Sequence, residues 1–324
     1  MKTLIIGSDF YNYREIIGHE LEDRGYLITI FNQIPSHYFA KTKVFGCEYM
    51  NKVKQSRLNQ MLLNFTDYDL VLVLVGEHLL PQHLLLLRDN NRNARFVLYL
   101  WDDVDRVKNF RSVFSCYDAV FTFSHLDAMK YKLNFLPLFY NQESIPSSNY
   151  NKSIDIYSAM GNHSDRVPIA ERVIEQADRL GLRYDIYIQI SLIDYYKKKK
   201  SFSNIKYIWK PIPMSMNINN ISSSKSVLDI QFESQIGLTM RTIETLGYGT
   251  KLITTNSYVS EYDFYNPQNI LIINRQNPVI NKEFFLSEYE TPENEVLNKY
   301  TLSSWVDVLL GKKRYSYIRT NHNF

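Results

Sequence analysis

The chain has 324 residues, a length that holds two domains of common size, and its 45% hydrophobic and 22% charged content is that of a soluble globular protein able to bury a core in each half. The formal net charge of +3 is too small to argue for a nucleic-acid partner. The two cysteines, Cys47 and Cys116, form neither a metal spacing nor a redox pair, and no stretch approaches the length needed to cross a bilayer.

Residues 2–6 read as a first strand rather than a signal peptide, ending at Gly7-Ser8-Asp9. A helix follows with Ile16, Ile17 and Leu21 inward and Gly25 as its stop, then a strand over residues 27–31. This βαβ opening lacks a GxGxxG fingerprint, which argues against a dinucleotide cofactor in this half. Residues 36–66 are expected to be helical in part, with Leu58, Met61 and Leu62 as a short apolar face. The run YDLVLVLV over residues 68–75 predicts a central parallel strand buried on both faces. Pro81 starts a leucine-rich helix, and strands are expected over residues 95–100, 118–124 and 135–139.

Ligands of open α/β sheets gather at the carboxyl ends of strands. Three such ends carry ionisable groups: Glu77 with His78, Asp102 with Asp103, and His125. The coincidence predicts one cleft, although singly Ser124, Asp127 and Asp103 also suit helix caps. Residues 141–152, NQESIPSSNYNK, have no apolar period and read as a linker.

The second half opens with a strand over residues 154–158 and a loop from Gly161 to Arg166 that contains His163, with Pro168 starting the next helix and Gly181 ending it. Further strands are expected over residues 184–190, 205–209, 226–230 and 270–273. Lys197, Lys198, Lys199 and Lys200 form a charge run, which reads as a solvated loop or as an attraction to anionic lipid headgroups. Leu302, Trp305, Val306 and Leu309 predict a last amphipathic helix, followed by a basic, aromatic tail expected to be poorly ordered.

The stretch from residue 235 to 255, QIGLTMRTIETLGYGTKLITT, organises this half. Ile236, Met240, Ile243 and Gly247 recur at helical spacing as a packed face, and Gly237, Arg241 and Glu244 recur on the face beside it. Glycine lets a ligand approach backbone N–H groups at a helix start, arginine offers a planar fork for phosphate, and a carboxylate can accept two hydroxyl hydrogen bonds from a sugar. Gly247 and Gly249 end the helix and residues 252–255 read as a strand.

This order resembles the donor-nucleotide motif of GT-B glycosyltransferases, with Gly237 matching the family's glycine and Glu244 its ribose-binding glutamate. The likeness extends to uncharacterised transferases of O-antigen and capsule clusters and to the spore-maturation group. It implies an α/β fold of two Rossmann-like domains with a cleft between them and a terminal helix crossing back: residues 1–140 on the acceptor side, a linker at 141–152, a donor domain at 153–300, and a terminal helix and tail at 301–324. It implies donor contacts by Gly161, His163, Arg166, Gln235, Gly237, Leu238, Arg241 and Glu244. Many retaining members carry a second glutamate eight positions earlier, and that position here is Ile236.

The implied activity is transfer of a sugar from a nucleotide-sugar donor to a glycan or lipid-linked surface glycan. The implied setting is the cytoplasm, with peripheral contact at the inner face of the membrane. No cofactor beyond the donor substrate and no metal are expected: Asp103 and Asp105 give a DVD triplet, but it lies in the first half. An inverting reaction needs a base for the acceptor hydroxyl; Asp9, Glu77, Asp102, Asp103 and His125 are eligible, and Asp102 beside Trp101 is the first choice. Competing readings are a sugar-nucleotide 2-epimerase, a non-catalytic GT-B-like scaffold of a polysaccharide complex and, against the near-balanced charge, a nucleic-acid binder.

Overall fold

The computed structural model describes residues 1–8, 12–34, 41, 45–144, 152–198 and 204–319. The chain forms two compact units, Met1–Pro137 with Val306–Lys313, and Leu138–Trp305 with Arg314–Phe324. The division falls just before the segment expected as a linker, of which residues 145–151 lie outside the described residues.

Unit 1 is a six-stranded sheet, all parallel, in the order β2-β1-β3-β4-β5-β6. Its strands are β1 (Lys2–Gly7), β2 (Leu27–Asn32), β3 (Leu70–Leu74), β4 (Arg95–Leu100), β5 (Ala119–Thr122) and β6 (Asn134–Phe135). The apolar run of β3 is buried at every position, because helices cover both faces of a parallel sheet. Aspartates heading two strands pin the register: Asp69 accepts from the Lys2 amide at 2.7 Å and Asp118 from the Phe96 amide at 2.7 Å. The helices are α1 (Tyr13–Asp23), α2 (Cys47–Leu62), α3 (Pro81–Asn90), the single turn α4 (Phe110–Val113) and α5 (His125–Tyr131). The strand expected over residues 135–139 is confined to the two residues of β6.

Unit 2 is a second parallel sheet, β12-β11-β10-β7-β8-β9. It comprises β7 (Ile154–Gly161), β8 (Tyr184–Gln189), β9 (Lys206–Ile208), β10 (Ser224–Asp229), β11 (Lys251–Thr254) and β12 (Ile270–Ile272). The chain winds outward through β8 and β9, then returns to start again at β10 beside β7, so the topological switch point lies between β7 and β10. Its helices are α6 (Arg166–Leu180), α7 (Leu192–Lys198), α8 (Met214–Ser222), α9 (Met240–Gly247), α10 (Lys282–Leu286) and α11 (Asn294–Lys299), and the last helix, α12 (Leu302–Leu309), begins in unit 2 and passes to unit 1 at Val306. The apolar stripe of α6, with Ile169, Val173 and Ala177, joins Ile156, Ile186, Leu228 and Ile253 in one core.

Residues Val306–Lys313 belong to unit 1, where Asp307 accepts from Arg24 at 2.7 Å and pairs with Lys313 at 2.9 Å. The tail is not loose as expected: Tyr317 is buried, Ile318 bridges Tyr262, and the Arg319 amide donates to Glu261 at 2.8 Å. Residues 320–324 lie outside the described residues.

Candidate functional site at the switch point of unit 2

β7 runs three residues further than its pattern suggests, to Gly161, so the loop after it is short. A methyl group on Gly161 would meet nothing nearer than His163 at 3.8 Å and Arg166 at 4.0 Å, so internal packing does not require a glycine there. Helix α6 starts at Arg166 rather than at Pro168, which sits inside its first turn where a missing N–H costs nothing. Ser164 takes a left-handed φ of 50° to make the turn.

Three contacts fasten this loop to the one after β10. Arg166 donates to the Ile230 carbonyl at 2.6 Å and to the Gly161 carbonyl at 3.1 Å. Arg275 pairs with Asp165 at 2.6 Å and donates to the Gln231 carbonyl. The His163 ring lies flat on Phe232, centroids 3.8 Å apart and planes 6° apart. Arg166, expected at a diphosphate, therefore braces the two loops from below.

Asp229 ends β10 and is 1% exposed. Its carboxylate accepts from the Thr239 hydroxyl at 2.6 Å and from Arg241 at 3.1 Å. Thr239 caps α9, accepting from the Thr242 amide at 3.2 Å. The helix thus begins at Met240, and Ile236 and Gly237 precede it instead of forming its first turn. Gly237 lies in a loop held by Asn256, which donates to the Ile236 carbonyl at 3.1 Å, while Gln235 donates to the Gly237 carbonyl at 2.9 Å. Leu238 is buried in the core, so its expected donor contact is not through its side chain.

Arg241 is the largest departure from expectation. Its guanidinium is taken up by Asp229 and by the Ala159 carbonyl rather than left as a fork for phosphate. Burial works against its charge, but Asp229 and then Glu244 outweigh burial and hold its pKa above the ordinary arginine value. Among the described residues its Nε finds no partner. Glu244, on the next turn of α9, is buried and helps to push the Tyr248 phenol upward, although burial is the larger cause. An open cleft of about 690 Å³ adjoins the loops, lined by Asp165, Arg172, Glu233, Thr255, Asn274 and Arg275 among others.

In unit 1 the expected candidates separate. Glu77 follows a turn in which Val75 and Gly76 both have φ 69°, and it faces His78 at 3.9 Å. Asp102 is half-exposed and pairs with Arg106 at 3.4 Å. Burial pushes its carboxyl up, Arg106 opposes, and Glu77 adds to the rise, so Asp102 and Glu77 share one electrostatic neighbourhood. Asp103 precedes the short turn Val104–Arg106 without a side-chain cap bond. His125 is 5% exposed, set in the first turn of α5 edge-on to Phe135 at 6.1 Å, and is a core histidine rather than an accessible one. Ser124 does cap α5, accepting from the Asp127 amide at 3.3 Å, and Asp127 accepts from the Val104 amide at 2.8 Å. Asp9 lies outside the described residues.

Asp229, Phe232, Thr239 and Arg275 were not singled out from the sequence. Asp229 sits within the apolar run of β10, and Thr239, a residue type favoured at helix starts, precedes Met240, which would have moved the start of α9. Nothing local marks Arg275, whose partners lie 44 and 110 residues away.

No protein-family model matches the sequence, and no curated protein matches it. Solved structures do. An α-glucosyltransferase in complex with UDP and a 13-mer DNA superposes with TM-score 0.59 at 10% identity, covering 95% of each chain. AviGT4, a glycosyltransferase involved in avilamycin A biosynthesis, gives 0.58 at 10% identity over 98% of this chain and all of its own. The UDP co-structure of MnaA from S. aureus gives 0.56 at 12% identity, covering 96% of this chain and 97% of that one. Two parallel six-stranded sheets with flanking helices, matched over nearly the whole length, are the GT-B fold.

Proposed function

We propose that the chain is a glycosyltransferase that takes its sugar from a nucleotide-sugar donor held at the switch point of unit 2. The observation that carries this is that, in a GT-B fold, α9 is tied to both strands of the switch point, Arg241 donating to Asp229 at the end of β10 and to the Ala159 carbonyl of β7, with Glu244 on the following turn. Glu244 is the group for the donor's ribose hydroxyls. The loop amides around Gly161 and Gly237, with His163 above, meet the departing diphosphate, a role that fixed N–H donors fill without reorganisation. Arg241 enters this scheme through Asp229, as the strut that sets the start of α9, and no metal is assigned to the step. For an inverting reaction we assign Asp102 as the base for the acceptor hydroxyl; it is half-exposed at the end of β4, and burial raises its pKa, with Arg106 opposing and Glu77 adding. The acceptor class we assign is a surface glycan, O-antigen or capsule in kind, carried on a lipid.

Calorimetry of the folded protein with UDP, GDP, CMP and dTDP tests the reading. One nucleoside diphosphate is expected at micromolar affinity, near −8 kcal/mol. Glu244→Gln, which preserves shape, is expected to weaken it about tenfold, or roughly 1.4 kcal/mol. Loss of binding by every nucleotide would instead favour the scaffold reading. A second reading has its own support: the UDP-GlcNAc 2-epimerase from Neisseria meningitidis superposes with TM-score 0.56 at 10% identity. Product analysis without acceptor separates the two, because an epimerase turns over its donor alone.

A further inference from the structure

One corner of unit 2 combines exposed lysines with exposed apolar side chains. Between residues 190 and 217 the sequence carries six lysines against a single carboxylate, Asp194; Lys206 is paired with Asp185, and Lys197 and Lys210 are exposed. The structure places large apolar side chains in the same corner. Strands β8 and β9 are paired through Gln189 and Ile208, and the Ile190 amide donates to the Ile208 carbonyl at 2.8 Å. The segments leaving both strands therefore emerge side by side. The first becomes α7, on which Leu192, Ile193 and Tyr196 are 47%, 69% and 65% exposed. The second leads with Trp209, 43% exposed, with the Lys210 ammonium 4.5 Å from its ring centroid. Lys197 is exposed at the end of α7.

Two aliphatic side chains beside two exposed aromatic rings make a contiguous apolar patch of the kind that marks an interaction site. An aromatic amphiphile beside them, with the Lys210 ammonium over the Trp209 ring and Lys197 exposed on α7, is the composition of a helix lying in a membrane interface. We propose that α7 with Trp209 and Lys210 forms a docking surface for an anionic lipid bilayer. Leu192 and Ile193 enter the acyl boundary, Tyr196 and Trp209 sit at headgroup level, and Lys197 and Lys210 pair with lipid phosphates. A single-stranded nucleic acid would use the lysines and aromatic rings but has nothing to offer the two aliphatic side chains. Lys199 and Lys200 lie outside the described residues, and the surface is built without them. This inference stands apart from the donor site, so vesicle binding and nucleotide binding succeed or fail separately.

The test is co-sedimentation of the full chain with vesicles of phosphatidylcholine alone and with phosphatidylglycerol added. Binding to the anionic vesicles, weakened by salt, is expected, with at least tenfold weaker partition for Ile193→Glu and for the Lys197→Gln/Lys210→Gln pair. Circular dichroism controls for folding. Brominated acyl chains should quench Trp209, and Trp209→Phe should remove that quenching. Absence of wild-type binding to anionic vesicles overturns the proposal. So does undiminished binding of Ile193→Glu. Salt-sensitive binding of an oligonucleotide that Ile193→Glu leaves intact, with no sedimentation on vesicles, would assign the corner to nucleic acid instead.

Discussion

At the scale of single residues, the charges that look available in the sequence are largely committed inside the fold. Arg241 shows why. A buried carboxylate without a partner costs several kcal/mol, and Asp229 at the end of β10 is met by Arg241 from the first turn of α9 at 3.1 Å. Asp229→Asn is therefore expected to destabilise unit 2 by about 3 kcal/mol or more, measured by urea unfolding, because it strands the Arg241 charge. In unit 1 the telling residue is His78. Burial, and then Lys54, whose ammonium lies 3.3 Å from Nδ1, push its pKa down from 6.5 to about 4. The folded state thus keeps His78 neutral where the unfolded chain protonates it. Its stability contribution is complete above pH 6.5 and is lost as pH falls through the range down to about 4. Denaturation midpoints measured across that range should fall with acid, and His78→Gln should flatten the slope. His83, shifted the same way by burial and then Lys54, adds to the slope.

At the scale of elements, ends decide more than middles. The apolar run of β3 is a strand buried at every position, since burial on both faces leaves little choice of state, whereas the leucine run of α3 is helical. Helix starts moved by two to three residues where a cap or a proline sets the first turn, as at Arg166 and Met240. Gly247 shows how tight the packed face of α9 is: it is the last residue of the helix, and a methyl group there would lie 2.3 Å from the Tyr140 ring. Tyr140 is itself held by Tyr300 and Leu302 through backbone bonds of 2.9 Å, so it cannot easily yield. Gly247→Ala should cost about 1–3 kcal/mol by overpacking, read as a lowered thermal midpoint. Ala at Gly161, where there is room, should leave that midpoint unchanged.

At the scale of the whole molecule, each unit carries its own core. One is built on Leu4, Val71, Phe96 and Leu98, the other on Ile156, Ile186, Leu228 and Ile253. Two such cores, the strand runs and the order of elements were legible along the chain, because hydrophobic period and length are local properties. The GT-B layout followed from that order, together with the resemblance around Gly237 and Glu244. What the chain alone did not reveal is which polar groups are spent on one another. Arg166 on two carbonyls, Arg275 on Asp165, His163 on Phe232 and Arg241 on Asp229 pair residues up to 110 positions apart. Such pairings depend on strand order and on the position of the switch point, and no local pattern encodes them. The sequence by itself determined the elements and the fold class through burial; only the tertiary structure decided which charges remain for a ligand, because a buried charge takes whichever partner the fold brings within reach.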